Sequence, residues 1–232
     1  MTKKKPTYLL SGGRGRKYEK EVIRSVFKDT GKAKPDIAYV GVANGDDWGF
    51  YLMVAGLIKT AGDCKVNRVL IAPKKADLDK ARAALNSADA VFVSGGDVEA
   101  GMQILQEKNL TGLFSDLSDQ GKVFFGSSAG AIMLAREWVL WKDPDDDSTA
   151  ELFPCLGIAP VLCDTHAEGD DWVELKAALK LKGNGERGYG ISSGSCLKVY
   201  QDGRTEALGG AVAQYLKSGG EIASLPDLLP AV

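Results

Sequence analysis

Gly126-Ser127-Ser128-Ala129-Gly130 joins the apolar run Val123-Phe124-Phe125 to the segment Ala131-Ile132-Met133-Leu134-Ala135. The Gly-x-Ser-x-Gly spacing fits a nucleophile elbow, in which a serine sits on a strained strand-to-helix turn. Glycines two residues before and two after Ser128 leave room for neighbouring backbones, so the serine oxygen stands exposed at the strand end. The amide of Ala129 then points toward a developing oxyanion, assisted by the positive end of the following helix. A serine among glycines also serves as a plain turn residue. The strand before it and the helix after it favour the nucleophile, and Ser127, in the variable slot, reads as structural.

A serine nucleophile needs a base, and His166 is the only histidine in the chain. Lone histidines are commonly surface or core residues. This one follows Cys163-Asp164-Thr165, just past the apolar run Ile158–Leu162. That run reads as another strand whose end faces the same edge as the elbow, which makes His166 the candidate base.

The elements that must position these residues alternate along the chain. Tyr8–Leu10, Ile37–Val42, Val66–Ile71, Ala90–Val93 and Val123–Phe125 are short apolar runs without strict alternation, as expected of strands covered on both faces. Helical segments lie between them, at Arg16–Asp29, Trp48–Ala61, Leu78–Leu85 and Glu99–Glu107. This rhythm predicts right-handed crossovers and a three-layer, doubly wound, mostly parallel sheet. From Gly188 to Ala213 the pattern turns antiparallel, with Gln201–Arg204 as a hairpin turn between Leu197–Tyr200 and Thr205–Leu208. The expectation is a single α/β domain over residues 1–232. In such a sheet the loops after the strand C-termini share one edge, where ligands bind. Ser11-Gly12-Gly13, Asn44-Gly45, Gly95-Gly96-Asp97 and Ser127-Ser128 all fall there. None of these loops completes a GxGxxG fingerprint, and no cofactor or metal site is expected.

Composition narrows the partners. With 232 residues, 44% of them hydrophobic, the chain can bury one large core. A net charge of −2 argues against nucleic acid or an anionic membrane as partner. Thr2-Lys3-Lys4-Lys5 reads as a solvated tail, with no signal-peptide core after it and no apolar run near the roughly 18 residues of a membrane span. Cys64, Cys155, Cys163 and Cys196 lack CxxC spacing and read as free, buried thiols, consistent with a cytoplasmic protein.

Taken in order, Val93-Ser94-Gly95-Gly96-Asp97, Gly126–Ala131, Leu156-Gly157-Ile158 and Asp164-Thr165-His166 resemble the serine peptidase family of aspartyl dipeptidase (peptidase E) and cyanophycinase. The resemblance spans roughly Leu9 to Leu208. It implies a fold like class I glutamine amidotransferases, with a serine replacing their elbow cysteine. It also implies small substrates, either dipeptides with N-terminal aspartate or β-linked aspartyl-arginine polymers. By this carry-over Ser128 is the nucleophile, His166 the base, and the amides of Gly96 and Ala129 the oxyanion hole.

Two departures stand out. The orienting acid has three candidates. Asp143, within Trp141-Lys142-Asp143-Pro144, matches one family position and is the first choice. The late-strand glutamate of Gly-x-x-Glu-Gly is replaced by Ser193, and Glu168 matches the His-x-Glu spacing of amidotransferases. Second, arginines expected shortly after the histidine are replaced by Glu168-Gly169-Asp170-Asp171. An acidic mouth suits a basic or neutral side chain better than an aspartyl one, and Trp48, Trp138, Trp141 and Trp172 are available as apolar walls. The functional expectation is a serine peptidase or amidohydrolase acting on small peptides or amides, as a monomer or homodimer. The alternatives are a catalytically weakened relative that binds a small metabolite or peptide, and an acyl-transfer enzyme on the same fold.

Overall fold

The computed structural model describes residues 4–12, 16–143 and 145–231. Thr2, Lys3, Gly13 and Pro144 lie outside the described residues. In chain order the elements are β1 (Thr7–Leu10), α1 (Arg16–Thr30), β2 (Asp36–Val40), α2 (Trp48–Lys59), β3 (Lys65–Val69), α3 (Leu78–Ser87) and β4 (Ala90–Val93). There follow α4 (Val98–Glu107), α5 (Thr111–Asp119), β5 (Val123–Ser127), α6 (Ala129–Leu134), β6 (Glu137–Trp141), β7 (Ala150–Pro154) and β8 (Leu162–Thr165). The chain continues through α7 (Val173–Lys180), β9 (Arg187–Ile191), β10 (Cys196–Val199), β11 (Thr205–Leu208), β12 (Val212–Ser218) and β13 (Glu221–Leu228).

The main sheet runs β11-β10-β1-β5-β4-β2-β3, parallel from β1 through β3 and antiparallel at β10 and β11. Strands β1, β2, β4 and β5 are buried on both faces, which explains their unbroken hydrophobicity, whereas the edge strand β3 alternates, with Lys65 and Asn67 exposed. Leu9, Val91, Val93 and Phe124 face a core shared with α3, α4, α5 and α6. Tyr8, Leu10, Phe92 and Phe125 face the other way, against α1 and α2. The result is the expected three-layer, mostly parallel α/β architecture.

Three helices begin on an aspartate that accepts an amide two or three residues into the first turn, and these caps fix where each loop ends. Asp47 accepts from Phe50 at 2.6 Å, Asp77 from Lys80 at 3.0 Å and Asp97 from Ala100 at 2.9 Å.

The C-terminal part divides differently from the expectation of one antiparallel addition. The hairpin β10–β11 extends the main sheet, with Val199 opposite Thr205 across the Gln201–Arg204 turn. By contrast, β8, β9, β12 and β13 form a separate four-stranded sheet in the order β13-β12-β9-β8, packed on α7. The strand before His166 is therefore shifted and rehoused. Ile158–Val161 is buried but irregular, and the strand proper is Leu162–Thr165 in the second sheet. Apolarity alone cannot distinguish a buried connector from a buried strand.

Among the described residues no helix is long and apolar enough to cross a membrane. All four cysteines carry free thiols.

Candidate active site

Ser128 occupies the junction of β5 and α6 with φ 55 and ψ −128, a conformation that residues with a side chain rarely adopt. The turn is held from both sides. Its amide donates to the carbonyl of Leu10 on the neighbouring strand at 3.0 Å, and its carbonyl accepts from Ala131 at 2.8 Å. The flanking glycines are required sterically. A Cβ on Gly126 would overlap the carbonyl oxygen of Gly130, and one on Gly130 would overlap the carbonyl oxygen of Val93. The elbow spacing is thus a packing requirement, and strain of this kind concentrates where a side chain must be presented.

His166 follows β8 directly, also at positive φ (45°), with its amide bonded to the carbonyl of Ile191 at 3.0 Å. This anchors the histidine across the end of the second sheet. Its Nε2 lies 2.8 Å from Oγ of Ser128. Two residues from two different sheets are therefore within hydrogen-bond reach, the geometry a nucleophile and its base need.

The three candidate acids are placed very differently. Asp143 sits in the exposed turn between β6 and β7, where its Oδ1 accepts the amide of Asp145 at 3.1 Å and its own amide donates to Thr149. Among the described residues its hydrogen bonds stay inside that turn and none reaches His166; its neighbours Asp145 and Asp146 mark a solvated hairpin tip. Glu168 lies on a short helical turn just beyond His166, and its Oε1 accepts the amide of Ser193 at 3.1 Å. Burial opposes its ionisation. The Ser193 hydroxyl and amide, together with the nearby His166 ring, outweigh that and hold the carboxyl below its usual range. Ser193, at the position where a glutamate is expected, is thus the residue that tethers Glu168.

The Gly95-Gly96 loop faces the elbow. Gly96 has φ 147, and a Cβ there would collide with the carbonyl of Ala43. Asn44 fixes this loop by donating its side-chain amide to Oγ of Ser94 at 3.0 Å and to the carbonyl of Gly95 at 2.9 Å. The hydroxyl of Tyr39 donates to the same Ser94 oxygen at 3.0 Å. Among the described residues, neither the Gly96 nor the Ala129 amide donates a hydrogen bond within the protein.

A groove of about 1200 Å³ opens at Ser128 and His166 and runs between α1 and α2 down to the sheet. None of the four tryptophans lines it. Trp48 is exposed with Arg68 stacked on it, Trp138 donates its Nε1 to Glu174, and Trp172 packs under Gly190. Among the described residues no three His, Cys, Asp or Glu side chains gather as ligands for a metal.

The sequence profile of Peptidase family S51 matches residues 7–207. The chain belongs to that family, and it is a serine-type peptidase. Two solved structures share the fold seen here. A peptidase from an acI-B1 Actinobacterium superposes with a TM-score of 0.71 at 18% identity, covering 96% of this chain and 94% of that one. A putative peptidase E protein from Listeria monocytogenes EGD-e superposes with a TM-score of 0.63 at 16% identity, covering 88% and 98% respectively. No functionally curated protein matches the chain in sequence.

Two features of this S51 peptidase escaped the sequence reading. The sequence marks Asn44 only as an edge-loop residue and carries no sign that it braces Gly95. The groove walls on α1 and α2 were missed altogether. A signal existed for the second: Trp48–Lys59 carries apolar residues all round, leaving Trp48, Phe50, Leu52 and Met53 exposed. A surface helix normally buries one apolar stripe and keeps a polar face.

Proposed function

We propose that the protein hydrolyses small peptides or peptide-like amides through a Ser128–His166 pair. The observation that carries this reading is the 2.8 Å approach of Ser128 Oγ to His166 Nε2 on a strained, glycine-flanked elbow. Oγ attacks the scissile carbonyl while its proton passes to Nε2. The tetrahedral oxyanion is received by the amides of Gly96 and Ala129, on the loop braced by Asn44 and at the start of α6. The imidazolium then returns its proton to the departing amine, leaving an ester on Ser128. Water attacks that ester with His166 again as base, releasing the acid and restoring the serine.

Glu168 is the acid we assign to the site. It stabilises the imidazolium by charge and is held in place by Ser193, in the part that the family resemblance offers to Asp143. The groove that opens at Ser128 and His166 supports small peptides or peptide-like amides as the substrate class.

The test is covalent. A fluorophosphonate should label wild-type protein at Ser128, located by peptide mass mapping, and His166→Ala should abolish labelling. Absence of labelling under conditions that modify a known serine hydrolase would favour a relative that binds a small peptide without cleaving it.

A further inference from the structure

The groove beside Ser128 is built mostly from apolar side chains. Ile23 of α1 and Phe50, Met53 and Leu57 of α2 form its walls, and Phe92 and Phe125 of the sheet form its floor. The floor residues are buried, but Phe50 and Met53 are 37% and 60% exposed. Large apolar side chains left open at the mouth of a groove that also contains the nucleophile mark a ligand-binding wall, because solvent contact there is unfavourable until something covers it. Among the described residues the charged groups lining this groove are Glu19 and Lys20, one of each sign, with His166 at the mouth.

Resting on the Ser128–His166 reading, we infer that the groove between α1 and α2 is the specificity subsite, and that it accepts a bulky apolar side chain on the residue next to the scissile bond. The occupant is continuous with the chemistry, since the same cavity is lined by Ser128, His166 and the α1–α2 walls. Covering Phe50 and Met53 with a leucyl- or phenylalanyl-sized group removes apolar surface on both partners from water. That favours such substrates over aspartyl ones of similar length by roughly tenfold or more.

Alkyl fluorophosphonates of increasing chain length separate this inference from the mechanism beneath it. Second-order labelling rates at Ser128 should rise by about tenfold from an ethyl to an octyl chain, and Met53→Asp should bring the octyl-to-ethyl ratio close to one. Met53 is exposed, so the substitution leaves folding intact, which a thermal melt verifies. Labelling of Ser128 without chain-length preference, or a preference that survives Met53→Asp, would overturn the subsite while leaving the nucleophile standing. No labelling by any chain length would overturn the nucleophile and the subsite together. For cleavage, peptides with Leu or Phe beside the scissile bond should show a lower KM than those with Asp, and the reverse order would contradict the subsite.

Discussion

The backbone amide of Ser193 donates a hydrogen bond to Oε1 of Glu168 at 3.1 Å. The late-strand position where the family resemblance leads one to expect a glutamate therefore contacts a carboxylate that comes from the loop after the histidine.

This arrangement ranks the acids. Glu168→Gln should lower kcat/KM by roughly 10- to 100-fold, less than the 10⁴-fold cost of losing a buried, directly bonded triad aspartate, because Glu168 is largely solvated. Asp143→Asn should stay within about twofold, since an exposed turn residue acts on no reacting atom. Steady-state kinetics of both variants on one peptide decide the ranking, and the opposite order would return the role to Asp143.

The elbow glycines can be tested as packing. Gly130→Ala forces a methyl group into the carbonyl of Val93. Overpacking of this kind costs about 1–3 kcal/mol, so the variant should melt lower and lose activity together. An unchanged melting temperature would mean that the approach of α6 to the end of β4 is looser than described.

Asp164 predicts a pH effect on stability. It is buried beside Glu174 and Asp170, its Oδ1 accepts the amide of Thr165 at 2.7 Å, and among the described residues no group closes a hydrogen bond to its Oδ2. Burial first, then the Glu174 charge, pushes its carboxyl up to about 7, against the Thr165 and Leu175 amides that favour the ionised form. A raised folded-state pKa means the native protein holds the proton more tightly than the unfolded chain. The stability contribution is thus complete below the ordinary carboxylate range near 4 and is lost as pH rises toward 7. Asp164→Asn removes this dependence. It should raise the melting temperature relative to wild type at pH 8 by more than at pH 5, through a difference on the order of 2–4 kcal/mol. Equal shifts at both pH values would show that Asp164 titrates normally.

What the sequence made legible follows from which constraints are local. Gly126, Ser128 and Gly130 were readable because backbone contact at a strand-to-helix turn leaves no alternative to glycine. The alternation of apolar runs and helices exposed the main sheet for the same reason: burial on both faces writes itself into consecutive residues. The second sheet was not readable, because β8 pairs with β9 in parallel across α7, a relation that local composition does not encode. Asp143 and Glu168 were indistinguishable in sequence for the same reason. Each matched a spacing, and what distinguishes them is tertiary: Asp143 bonds within the β6–β7 turn, whereas Glu168 accepts the amide of Ser193. The groove lay hidden in α2, whose all-round apolarity reads as burial until the helix is seen at the surface.

The central claim is that Ser128 is the nucleophile and His166 its base. The most direct measurement is kcat/KM for peptide hydrolysis by Ser128→Ala, made on protein shown to be folded. The account predicts a loss of roughly 10⁴-fold or more. A rate near that of the wild type would contradict it.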